Sequence, residues 1–308
     1  MNPNCQYNER LKQVNNQPNF FIVGAAKAGT TSLWIYLQQH PDIYMSQRPK
    51  EPAFFCYRFD RMQDFDTYLS LFADANGAKA VGEATTSYLA SPESAAWIRE
   101  VYPEAKIIIV LRNPVERAYS LYNWMSREGK EWIATFEKAL SAEKDRIGDE
   151  DFKANIPAWH TNYLYFYSGL YFAQVERYLE NFPRDQVHII LFEDLKTNPV
   201  VATQQVYEFL GVDSSFIPEI EVHNKGQTPF SVPAQYFIKQ KLNKYLCKLR
   251  IPSRLRLQRS ALDINLFFGK LVEHRLNEAT RRNLQEMYRE DIQKTARLIG
   301  RDLGAWLK

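Results

Sequence analysis

Cysteine is scarce in this 308-residue chain: Cys5, Cys56 and Cys247 are odd in number and far apart, with no Cys-x-x-Cys pair and no Cys/His cluster. That pattern argues against a disulfide framework and a zinc site, and favours free thiols in a reducing compartment. Long hydrophobic runs are missing too. Nothing approaches the roughly 20 apolar residues of a membrane span, and the N-terminus lacks the apolar core of a signal peptide. The chain therefore reads as cytoplasmic, with no transmembrane segment. Neither sign of charge dominates: the formal net charge is +3, so bulk electrostatics makes no case for nucleic acid, and any basic partner surface has to be local. No internal repeat and no Pro/Gly-rich linker divides the sequence. The expected organisation is an Asn/Gln-rich flexible tail at 1–18 and a single domain at 19–308. With 45% hydrophobic and 14% aromatic residues, that domain can bury a substantial core.

The most informative stretch is 19–40, NFFIVGAAKAGTTSLWIYLQQH. Phe20 to Val23 is a short apolar run of the kind that forms a buried parallel strand. Gly24-Ala25-Ala26-Lys27-Ala28-Gly29-Thr30-Thr31 follows, and then Leu33, Trp34 and Leu37 recur at helical spacing until Pro41. A strand, a glycine-containing turn and a helix point backbone N–H groups and a helix N-terminus at one spot, which attracts phosphate. Gly24, Gly29 and Thr31 stand where a Walker A loop has its glycines and hydroxyl, but Thr30 holds the lysine position and the lysine is displaced to Lys27. That departure argues against a nucleoside triphosphate held through Mg²⁺.

A second signal lies at 105–125, AKIIIVLRNPVERAYSLYNWM. Ile107 to Leu111 reads as a buried strand, and Pro114 stands as if at the first position of a helix whose stripe is Val115, Ala118, Tyr119, Tyr122 and Met125. Where an NTPase strand ends in an aspartate for Mg²⁺, this one ends in Arg112. A guanidinium at that place suits an anion bound directly, without a metal.

These motifs resemble those of PAPS-dependent sulfotransferases, of the glycan-modifying and bacterial free-standing type; PAPS is 3′-phosphoadenosine 5′-phosphosulfate. Lys27-x-Gly29-Thr30-Thr31-Ser32-Leu33 is similar to the family's phosphosulfate loop, and Leu111-Arg112-Asn113-Pro114 through Ser120 and Tyr122 to its 3′-phosphate motif. The resemblance covers roughly 19–304. It implies an α/β fold, P-loop-like, with a central mainly parallel sheet and helices on both faces. It further implies sulfuryl transfer from PAPS, leaving PAP, to an acceptor hydroxyl, or secondarily an amine, with no metal. Lys27, Ala28, Gly29, Thr30, Thr31, Ser32, Arg112 and Ser120 would bind the nucleotide. Lys225 and Gly226, in the segment His223-Asn224-Lys225-Gly226, would close over the 3′-phosphate.

Lys50-Glu51-Pro52-Ala53-Phe54-Phe55 is similar to the family's K-E-x-x-F-F segment. The resemblance makes Glu51 the general base and puts Lys50 beside the transferring group. The chemistry agrees, because an alcohol is too weak an acid at neutral pH to attack without a positioned carboxylate. The plainer alternative is a surface Lys–Glu pair of little energetic worth. For Arg112 it is a structural ion pair with Glu116. His160, among Trp159, Tyr163 and Tyr165, is the second candidate base, against the commoner role of a hydrogen-bonded core histidine. Gly82-Glu83-Ala84-Thr85-Thr86-Ser87-Tyr88-Leu89 resembles the family's G-E-x-[ST]-P-x-Y-L segment, with Thr86 in place of proline; the role of its hydroxyls is open.

Further helices are expected at 60–79, around Trp132, Phe136 and Leu140, at 171–182, after Phe192 and at 277–299, with a strand at 186–192. Residues 222–262 contain no acid but nine Lys and Arg. Their stretch at 239–259 is a candidate face for an anionic acceptor or a membrane surface, against the blander solvated helix face. The acceptor itself, whether small molecule, lipid or glycan, is not encoded in the nucleotide motifs. Two rival functions are an ATP-dependent P-loop phosphotransferase and a non-catalytic polyanion or membrane binder acting through 239–259.

Overall fold

The computed structural model describes residues 16–57, 61–220, 229–242 and 275–308, together with Tyr7, Arg10, Leu11 and Val14. Lys225, Gly226 and most of the basic 239–259 stretch lie outside the described residues. The chain divides into two compact units. The first comprises Met1–Asn113, Tyr171–His223 and Gln293–Asp302; the second comprises Pro114–Leu170, Asn224–Ile292 and Leu303–Lys308.

The first unit is built on a five-stranded sheet: β1 (Phe20–Gly24), β2 (Ile43–Met45), β3 (Ala80–Ala84), β4 (Lys106–Leu111) and β5 (Val187–Leu191). The spatial order is β2-β3-β1-β4-β5, and every neighbouring pair is parallel. Parallel strands covered on both faces need continuous apolar sequence rather than alternation. The central strands show it: Phe20–Val23 and Ile107–Leu111 are fully buried. The register sets Ile22 beside Ala84 on β3 and Ile108 on β4, and shifts between Ile22 and Gly24. Strand order reverses at β1, so the carboxyl ends of β1, β3 and β4 surround the crevice where open α/β sheets take ligands. Helix α1 (Thr30–Leu37) follows β1, buries Leu33 and Leu37, and stops before Pro41.

Three helical expectations are corrected. Among the described residues of 60–79, Phe65–Ser70 alone is an α-helix, capped by Asp64, whose carboxylate accepts from the Thr67 N–H; the Asn76–Gly77 pair favours turns instead. Tyr68, Leu69 and Phe72 still form the buried stripe. Trp132 precedes its helix rather than joining it: Thr135 caps Phe136–Ser141, and two further helices follow at Glu143–Ile147 and Glu150–Asn155, the last capped by Asp149. The segment after β5 is two helices, Phe192–Thr197 and Pro199–Leu210, because Pro199 starts the second at the one place where its missing N–H costs nothing. Tyr171–Asn181 and Glu278–Ile299 are helical as expected.

The second unit carries the helix Pro114–Arg127. Its core holds a buried ion pair: the Arg146 guanidinium donates to both Glu131 oxygens at 3.0 and 3.1 Å. Glu131 also accepts from the Tyr165 hydroxyl (2.6 Å) and the N–H groups of Trp132 and Ile133, so its charge is well solvated by protein.

Candidate active site

Between β1 and α1 the backbone makes a tight turn with Lys27 at φ +70 and Gly29 at φ +91. Left-handed backbone is costly for a lysine, and such conformations concentrate at functional sites. Gly29 ends the turn where a side chain would have no room: a Cβ there would lie 2.8 Å from Phe192 Cδ2. No side chain caps α1 and no acidic residue stands in its first turn. Its N-terminal dipole is therefore offset by neither a cap nor an acid there, an arrangement suited to an anion.

Arg112 leaves the carboxyl end of β4 and donates from a terminal guanidinium nitrogen to the Lys27 carbonyl at 3.0 Å. Its guanidinium lies 4.7 Å from the centroid of the Phe192 ring, and the Tyr171 hydroxyl donates to its carbonyl at 2.9 Å. The arginine is thus tied to the turn and laid on an aromatic platform. Glu116, its alternative partner by sequence, pairs instead with Arg281.

The segment after β2 brings Lys50 and Glu51 to the same turn. Lys50 Nζ donates to Thr31 Oγ1 at 3.1 Å and lies 5.8 Å from the Trp34 ring centroid. Burial pushes the Lys50 ammonium below its ordinary pKa, and the Glu51 charge beside it opposes that shift. Glu51 accepts from Thr86 Oγ1 at 3.1 Å. Phe54 and Phe55 are buried in the core and anchor this loop.

Lys27, Gly29, Thr30, Thr31, Lys50, Glu51 and Arg112 therefore gather within the first unit, with Ala28 in the turn and Ser32 in the first turn of α1. Ser120 lies on Pro114–Arg127, in the second unit. His160 opens a short 3-10 turn in the second unit, its Nε2 3.4 Å from Thr161 Oγ1. Among the described residues, no group of three or more His, Cys, Asp or Glu side chains is placed to hold a metal ion, and no helix is long and apolar enough to cross a membrane.

Sequence reasoning misses the supports. Phe192 and Tyr171, which hold Arg112, look like ordinary core aromatics. Glu83 is the larger omission. Its carboxylate is fully buried and accepts from the hydroxyls of Tyr68 (2.9 Å), Tyr88 (2.9 Å) and Thr85 (2.6 Å). Burial raises its pKa to about 7 against those three donors, and the charge of Glu51 adds to the rise. The available signal was an acid inside an otherwise apolar strand followed by a run of hydroxyls.

A parallel P-loop-like sheet with a lysine-bearing anion turn, an arginine in place of a metal-binding acid and an adjacent Lys–Glu pair defines a class of group-transfer enzymes acting on anionic donors. The chain matches the family described as Sulfotransferase domain over residues 17–296, and it belongs to that family. A sulfotransferase from Alicyclobacillus acidocaldarius superposes with a TM-score of 0.71 at 32% identity, covering 95% of this chain and 99% of that one. A membrane-associated sulfotransferase of Dictyostelium discoideum is 24% identical over 279 residues, 68% of this chain and 59% of its own length. A human bifunctional heparan sulfate N-deacetylase/N-sulfotransferase is 29% identical over 212 residues, 65% of this chain but 23% of the human protein. The chain thus spans less than two thirds of the length of either of these relatives.

Proposed function

We propose that the protein transfers a sulfuryl group from PAPS to an acceptor hydroxyl, with an amine as the second choice of nucleophile. The observation that carries this reading is the convergence of the Lys27 turn, Arg112, Lys50 and Glu51 at the carboxyl ends of β1 and β4 and in the loop after β2. The donor set fits PAPS. Lys27, the turn from Ala28 to Ser32 and the uncapped helix end suit the 5′-phosphosulfate; Arg112 suits the 3′-phosphate, and the family resemblance adds Ser120, Lys225 and Gly226.

Glu51 takes the acceptor proton while the acceptor oxygen forms its bond to sulfur. The bond from sulfur to the 5′-phosphate oxygen breaks, and PAP departs with the electron pair. Charge that gathers on that oxygen is met by Lys27, the loop N–H groups, Thr30 and Thr31. Lys50, held at Thr31, assists on the sulfuryl oxygens. The Thr86 hydroxyl fixes the orientation of Glu51. A glycan acceptor is supported by the human relative, a heparan sulfate N-sulfotransferase, and a basic acceptor-binding face at 239–259 would suit an anionic one.

Calorimetric titration of PAP, AMP and ATP without magnesium tests the donor site. PAP should bind, AMP should bind weakly, and Arg112→Ala should weaken PAP about 10- to 150-fold, the worth of a charge-assisted hydrogen bond, while leaving AMP nearly unchanged. PAP binding no tighter than AMP would remove the reading. Turnover of ATP that requires magnesium would put the phosphotransferase in its place.

A further inference from the structure

Glu83 sits beneath the Lys50–Glu51 loop, and two of its three hydroxyl donors also touch that loop. Thr85 Oγ1 donates to Glu83 Oε2 and accepts the Ala53 N–H at 3.3 Å. Tyr88 Oη donates to Glu83 Oε1 and accepts the Phe55 N–H at 3.4 Å. Each hydroxyl therefore has its proton turned toward the carboxylate and its lone pair toward a loop N–H. Such a chain of hydrogen bonds polarises along its length, so an anion at the far end strengthens the grip on both amides. The loop needs holding: Ala53 has φ +54, a left-handed conformation that a residue with a Cβ does not adopt unaided. Thr86, the next residue after Thr85, reaches up to Glu51 itself. One end of β3 thus grips the loop backbone at two points and the carboxylate at a third.

We infer that Glu83 is a positioning residue for the proposed base: through Thr85 and Tyr88 it clamps the backbone N–H groups of Ala53 and Phe55 and so sets where Glu51 and Lys50 stand. Glu83 touches no reacting atom. Its third donor, Tyr68, completes the carboxylate's shell from the Phe65–Ser70 helix. The inference rests on the reading of Glu51 as general base, and it predicts that damage to the clamp lowers turnover while leaving the nucleotide site whole.

The test uses the full chain with Glu83→Gln, Thr85→Val and Thr85→Ser. PAP affinity is measured by calorimetry, sulfuryl transfer from labelled PAPS to N-desulfated heparin and to water by release of PAP, and amide hydrogen exchange across residues 50–57. Thr85→Val should lower kcat at least tenfold with the Kd for PAP within twofold of wild type, and should speed exchange at Ala53. Thr85→Ser keeps both hydrogen bonds and should return kcat to within threefold. Glu83→Gln should follow Thr85→Val, and if it does not fold the threonine pair decides alone. Wild-type kcat in Thr85→Val, equal damage from valine and serine, or loss of PAP affinity in step with kcat would each overturn the clamp. Failure of the wild-type chain to bind PAP or turn over PAPS would instead strike the sulfuryl-transfer reading, and the exchange comparison would still decide whether the clamp exists.

Discussion

Replacing Gly29 with alanine adds one methyl group at the junction of the Lys27 turn and α1. Two costs can be separated. At φ +91 the Cβ meets its own backbone, a penalty of about 1–2 kcal/mol. It also points into occupied space, 2.8 and 3.1 Å from Phe192 Cδ2 and Cε2 and 3.4 Å from Leu195 Cδ2, and overpacking of this kind costs about 1–3 kcal/mol. The sum is a loss of about 2–5 kcal/mol. Gly77 supplies the control, since its φ is +81 and a Cβ there meets nothing within 4 Å; Gly77→Ala should lose only the backbone part. Urea unfolding of the three proteins, with unchanged slope and shifted midpoint, measures both. The packing part has a functional echo, because the ring that must yield is the one on which Arg112 lies. Gly29→Ala should therefore weaken PAP at least tenfold, while Gly77→Ala leaves it alone. Equal destabilisation by the two substitutions, or unaltered PAP binding in Gly29→Ala, would refute the packing around Phe192.

Two further predictions concern buried charge. Burial raises both Glu83 and Glu143 to about 7, so between the ordinary carboxyl range and about pH 7 the native state holds more protons than the unfolded chain. Stability should then fall as pH rises through that window, on the order of 3 kcal/mol for Glu83, and urea midpoints should show a shallower fall in Glu83→Gln; a pH-independent wild type would contradict it. In the second unit, Arg146→Met leaves the buried Glu131 without its cation, and should cost about 3–5 kcal/mol. Adding Glu131→Gln to it should recover part of the loss, and additive losses would show that the pair is not coupled.

The parts of the site that were legible in the sequence are those whose physics is local. A glycine turn between an apolar strand and a helix is set by neighbouring residues, and so is an arginine ending a buried strand; the structure places the first between β1 and α1 and the second after β4. The helix boundaries that were misread depend on caps and breakers at single residues: Asp64, Thr135, Asp149 and Pro199 outweigh the apolar periodicity around them. Glu83 was illegible for a different reason. Its neighbours at Tyr68, 15 residues earlier, and at Ala53 and Phe55, some 30 earlier, are brought to it by the fold, in which β2, just before the loop, pairs with β3. From sequence alone an acid in a parallel strand is a misfit. In the fold it meets three hydroxyls, and two of them pass its charge to the loop carrying the proposed base. The same topology explains why a buried carboxylate is tolerable there at all: each oxygen has donors, so desolvation is opposed along three hydrogen bonds rather than by one counter-ion. A cation in place of those hydroxyls would neutralise Glu83 equally well, yet an ammonium or guanidinium has no lone pair with which to accept the N–H of Ala53 or Phe55. Hydroxyls can do both, which gives the Thr-Thr-Ser-Tyr run after Glu83 a physical reason to be polar.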